Sequence, residues 1–81
     1  MDEQIEQQRQ ARIESAYWRL RYQMCDQVPN GDRLWIIAHV GYELSEQDRK
    51  NGRYEKSATY SAMAKLADFE FSAAYRAAVQ L

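Results

Sequence analysis

Eighty-one residues with one cysteine, one histidine and a net charge of −1 exclude more than they identify. That length admits a single domain, the cysteine admits no disulfide framework, and no Cys/His set with zinc spacing is present. The near-balanced charge lacks both the basic excess of a sequence-independent nucleic-acid binder and the acidic excess of a DNA mimic.

Leu, Ile and Val number 12 and Phe 2, a thin aliphatic set; six Tyr, two Trp and eleven Ala add apolar surface. A core of this kind without covalent or metal staples gives a physical motive for self-association or partner binding. The first residues, MDEQIEQQRQAR, are polar, and no apolar run approaches the roughly 20 residues of a bilayer span. The expectation is a cytoplasmic protein without membrane association.

In chain order, a first helix is predicted from Asp2 to about Val28. Its residues 1–12 are mostly polar and are expected to fray or to be ordered by a partner. Ile13, Ala16, Tyr17, Leu20, Met24 and Val28 recur in steps of three and four, as on an amphipathic helix. Trp18, Tyr22 and Cys25 form a second apolar face opposite. That face is either a partner interface, since Tyr and Trp are enriched at interfaces, or core. VPNGD ends the helix, because proline disfavours helical geometry in Val28 and Asn30-Gly31 supplies a turn.

Residues 33–44 read in two ways. A strand would alternate Leu34, Ile36, Ala38, Val40, Tyr42 and Leu44. A helix would gather Leu34, Ile36, Ile37, Ala38, Val40, Gly41 and Leu44 on one side and leave Trp35, His39, Tyr42 and Glu43 on the other. The helix sorts the residues more cleanly, with Asp32 or Asn30 as its cap and Gly41 as a place of close helix approach. Ser45-Glu46-Gln47-Asp48 resembles a capping box opening a short extra helix that ends at Asn51-Gly52. From Tyr54 onward one long Ala-rich helix is predicted. It has a narrow polar stripe (Ser61, Lys65, Asp68, Ser72, Arg76) and is apolar almost everywhere else, the pattern of a buried helix. The fold expected is all-α: a small single-domain bundle of three helices, with long first and last helices.

Candidate chemistry is sparse. His39 and Glu43 are spaced to meet on a helix, but no nucleophile or metal ligand joins them. Cys25 sits near a helix end among aromatics, not in the cationic setting of a reactive thiol. No phosphate loop or nucleophile motif is present. No enzyme activity, cofactor or metal is expected. Glu70, inside the apolar arc of the last helix, calls for a partner such as Arg9 or Arg21.

The residues most suited to a partner interface are Trp18, Tyr22, Cys25, Trp35, Tyr42, Phe71 and Tyr75. A second surface, Arg49, Lys50, Arg53, Tyr54 and Lys56 around a turn, could meet an acidic protein or nucleic-acid phosphate, with Tyr54 stacking on a base. The expected function is a non-enzymatic protein–protein interaction module: a regulator, an inhibitor (including a phage-type inhibitor of a host system) or an accessory subunit, and a homo-oligomer. The alternative is a nucleic-acid-associated regulator using the basic turn.

Three short stretches, Arg19-Leu20-Arg21, Tyr42-Glu43-Leu44-Ser45 and Tyr60-Ser61-Ala62, resemble the Hha/YmoA family of small helical nucleoid modulators. Those proteins act by binding a DNA-binding partner. The gap between the second and third stretches is longer here, and the acidic and histidine residues that follow the family's tyrosine motif are absent. No functional residue is carried over.

Overall fold

The computed structural model describes residues 2–80. Three α-helices follow one another: α1 (Asp2–Gln23), α2 (Gly31–Lys50) and α3 (Tyr54–Val79), with a 3-10 turn at Cys25–Gln27 and no strand among the described residues. Residues 33–44 are helical, and the all-α bundle expected from the sequence is the observed architecture.

The α1–α2 junction departs from the expected continuous helix to Val28. α1 stops at Gln23, the 3-10 turn tightens the chain, and Val28 is extended ahead of Pro29. A 3-10 turn has about three residues per turn, so Met24 and Val28 no longer continue the face begun by Ile13, Tyr17 and Leu20. Asn30 then takes a left-handed conformation (φ 58°), its side chain accepts no capping hydrogen bond, and α2 begins at Gly31. A Cβ at residue 31 would lie 2.4 Å from the Cys25 carbonyl oxygen, so only glycine fits this turn.

The short helix expected from Ser45 does not exist. Nothing between Leu44 and Ser45 breaks the backbone, and α2 runs through to Lys50. Instead of capping, the Ser45 hydroxyl donates to the Ser57 carbonyl (2.8 Å), and the Ser57 hydroxyl donates to the Ser45 carbonyl (2.8 Å). The pair joins α2 to α3. Asn51-Gly52 does end the helix as expected. Gly52 is left-handed (φ 75°), its N–H reaches the Arg49 carbonyl, and the Arg53 N–H reaches the Asp48 carbonyl (2.8 Å). This is the Schellman closure, which satisfies the last carbonyls of α2. Buried Asp48 also accepts from Arg53 Nε at 2.7 Å, fixing the turn from its side chain.

α2 and α3 are antiparallel and close, because the residues between them are small. A Cβ at Gly41 would come 2.9 Å from Ala64 Cβ and 3.3 Å from the Tyr60 carbonyl. The buried cluster is Cys25, Val28, Leu34, Ala38, Ala67 and Phe71, with Trp18, Met24, Trp35, Ile37, Ala74 and Tyr75 packed around it. Gly41→Val is expected to lower stability by about 1–3 kcal/mol through overpacking. A thermal melt checks this, and an unchanged or raised midpoint would contradict the close approach.

Two burial expectations are corrected. α3 is not enclosed; it buries only Ser57, Ala64, Ala67 and Phe71, all toward α2. α1 buries no residue fully, and its first two-thirds stands away from the rest. The Cα trace is correspondingly flattened, 47 × 30 × 15 Å.

Candidate interaction surfaces

α1 is held to the α2–α3 pair by one turn and a half. Trp18 sits edge-on to Trp35 (centroids 6.4 Å) and tilts against His39 (5.0 Å) and Tyr42 (5.7 Å). The Trp35 indole N–H donates to the Trp18 carbonyl at 2.9 Å. Edge-to-face aromatic pairs of this kind add to their area burial. On the neighbouring side of α1, the Tyr17 hydroxyl donates to Asp68 (2.8 Å) and accepts from Arg21 (2.9 Å), while Arg21 lies 3.5 Å from the same carboxylate. Burial, and then the bond to Asp68, push the Tyr17 hydroxyl above its ordinary range, with Arg21 opposing. The expected pairing of Glu70 with Arg9 or Arg21 is thus replaced. Arg21 takes Asp68, and Glu70 is exposed.

The sequence-predicted interface residues therefore divide. Trp18, Tyr22, Trp35 and Tyr42 come together in one aromatic cluster, and of these Tyr22 is exposed while the others are half-buried. Cys25 and Phe71 are corrected: both are buried in the chain's own core and offer no surface to a partner. Tyr75 packs half-buried against that core. Burial, followed by the carboxylates of Asp32 and Asp26, raises the pKa of the Cys25 thiol, so it holds its proton. The inner side of α1 is that of Trp18, and Cys25, in the 3-10 turn that follows, is buried in the cluster on which Trp18 packs. Leu20 is 60 % exposed, and Ile13 is half-exposed at the rim of the space between α1 and α2.

Between the free part of α1 and α2 lies an open cleft of about 1480 Å³, bounded by Ala11, Ile13, Glu14 and Trp18 on one side and by His39, Tyr42, Glu43 and Lys50 on the other. His39 stacks on Trp35 (4.8 Å, 31°) and pairs with Glu43 at 3.3 Å. The imidazole is therefore engaged on its faces and at one nitrogen.

At the basic turn the charges are partly met within the chain. Arg49 pairs with Glu46 and Arg53 with Asp48, while Lys50, Tyr54 and Lys56 are exposed. The Arg49 guanidinium, through the hydrogen bond it donates, lowers the Glu46 pKa below its ordinary value. Among the described residues no group of three or more His, Cys, Asp or Glu is placed to hold a metal ion, and no helix is long and apolar enough to cross a membrane.

The most exposed large hydrophobic side chains lie elsewhere, on the outer face of α3: Leu66 (72 %) and Phe69 (71 %), flanked by half-exposed Met63. Sequence reasoning assigned α3 to the interior and so missed them as a surface. The signal available was their three-residue spacing opposite Ala64, Ala67 and Phe71. No family model, curated protein or solved structure matches this chain. The resemblance to the Hha/YmoA family rests on its three short stretches alone.

Proposed function

We propose that the chain is a non-enzymatic interaction module that binds another protein chain through its outer helical faces and so serves as a regulator, inhibitor or accessory subunit. The observation that carries this reading is the inversion of its apolar residues. Ile5, Ile13, Leu20, Leu66 and Phe69 are more than half exposed, while the buried cluster is Cys25, Val28, Leu34, two alanines and a single phenylalanine. Large apolar side chains left exposed on helical faces, while the core stays small, mark interaction surfaces when they cluster, as Leu66 and Phe69 do on α3. Cys25 is buried in the core and His39 is held by Trp35 and Glu43, which favours a binding role over a catalytic one. For the basic turn, Glu46 and Asp48 offset Arg49 and Arg53, which weakens the field a phosphate backbone would meet.

The test compares the wild-type chain with Leu20→Asp and Leu66→Asp as baits in extract of the native host. Both substitutions sit on exposed positions and are expected to leave circular dichroism unchanged. The wild type is expected to retain a defined protein that at least one variant loses by about tenfold or more, as at an interface hot spot. Identical capture by all three chains would refute the reading. Binding to generic duplex DNA that falls steeply with salt would replace it with the nucleic-acid alternative.

A further inference from the structure

The outer face of α3 carries a pattern that its inner face does not. Ala62, Leu66, Phe69 and Ala73 follow one another in steps of four, three and four, the spacing of a two-helix seam. All four are exposed. They lie on the side of the helix opposite Ala64, Ala67 and Phe71, which face α2. The two large side chains occupy the centre of the seam, and alanines before and after them allow close approach. The next seam position is Arg76, which ends the apolar run.

The flanks of this seam decide what covers it. Lys65 borders it on one side and Glu70 on the other. Both are exposed, and neither takes part in an ion pair among the described residues. In heptad terms Leu66 and Ala73 are a positions and Ala62 and Phe69 are d positions, so Lys65 is at g and Glu70 at the following e. In a parallel pair of helices a g residue meets the e residue five positions later on the partner, and such pairs set orientation and partner choice. Lys65 and Glu70 are five apart. A two-fold axis along α3 therefore brings Lys65 of each chain to Glu70 of the other, twice per dimer. The antiparallel arrangement sets Lys65 beside Ser72 and Glu70 beside Met63, and the charges go unpaired.

We infer that α3 is a homodimerisation helix: its Ala62–Leu66–Phe69–Ala73 seam packs in parallel against the same seam of a second copy, with reciprocal Lys65–Glu70 pairs. This rests on the interaction reading above and names the partner as the chain itself. It requires no movement of α2, which packs on the opposite side of α3.

Sedimentation equilibrium over a hundredfold dilution, with cysteine cross-linking, tests it. The expected mass rises from monomer to dimer with concentration. Lys65→Glu and Glu70→Lys each weaken association about fivefold or more, since two attractions become two repulsions, and the double variant recovers to within about twofold. Ala62→Cys and Ala73→Cys each cross-link to themselves on mild oxidation, because like positions face across a parallel seam. Cross-linking only in a mixture of the two, or a double variant no better than the singles, overturns the inference. A chain that stays monomeric throughout yet is captured specifically by a different protein also overturns it, and leaves the interaction reading standing. Circular dichroism confirms folding of each variant, all four sites being exposed.

Discussion

Phe71→Ala is expected to leave much of the chain unfolded at 25 °C. Phe71 is 2 % exposed and is the largest fully buried side chain. Its neighbours in the buried cluster are mostly small or short: Cys25, Val28, Ala38 and Ala67, with Leu34 the exception. Truncating a buried Phe to Ala costs about 3–5 kcal/mol, the transfer of the ring plus the cavity it leaves. Domains this small sit at the low end of the roughly 5–15 kcal/mol available. The Arg21 guanidinium, 5.5 Å from the ring centroid, loses its stacking surface as well. Thermal melting followed by circular dichroism at fixed concentration reads the outcome. A loss below about 1 kcal/mol would show that the Gly41/Ala64 and Ser45/Ser57 approach, not the ring, holds the helices together.

Trp18→Ala is expected to release α1. The indole touches Trp35, His39 and Tyr42, and its carbonyl accepts from Trp35. What the variant keeps is the bond from Trp35 to the residue-18 backbone carbonyl, exposed Tyr22 against Trp35, and the partly buried Tyr17–Arg21–Asp68 group with Arg21 over Phe71. A loss of about 3 kcal/mol is the magnitude for truncating a packed tryptophan. Freed from α2, a 22-residue helix whose first half is mostly Gln, Glu and Arg frays in water. Helical signal is therefore expected to drop by roughly the share of α1, while α2 and α3 stay folded and Trp35 fluorescence moves toward that of an exposed indole. A variant with full helicity and weakened self-association would instead return Trp18 to the outer surface.

How much of this was legible in the sequence varies by element. The turns were, since Val28-Pro29-Asn30-Gly31 and Asn51-Gly52 carry their backbone demands in their residue types. The helicity of residues 33–44 and the close approach at Gly41 were too, but the sorting was too generous, since Ile36 and Val40, grouped with the inner side, are exposed. The inner face of α1 was not. The wheel extended Ile13, Tyr17 and Leu20 through Met24 to Val28, and the 3-10 turn after Gln23 breaks that extension. Cys25 and Val28 then reach the core from a different direction, and Trp18 goes with them. Ser45 failed for a related reason. A serine with Asp three residues on looks like a cap, yet its hydroxyl is used across the helix pair. Glu70 failed by register. Arg21 does find a carboxylate on α3, but two residues away at Asp68, which is some 200° around the helix.

The flattened shape has a thermodynamic consequence. With the Cα trace only 15 Å deep and one helix resting on a turn and a half, much of the surface that unfolding would uncover is already wet. The heat-capacity increment of unfolding and the denaturant slope both scale with newly exposed area. Both should fall below the norm for 81 residues. The isolated chain's free-energy curve against temperature is then a low, broad dome rather than a steep one. Such a chain loses its fold gradually on warming, and association with a second chain would sharpen the transition by adding buried area that the single chain lacks.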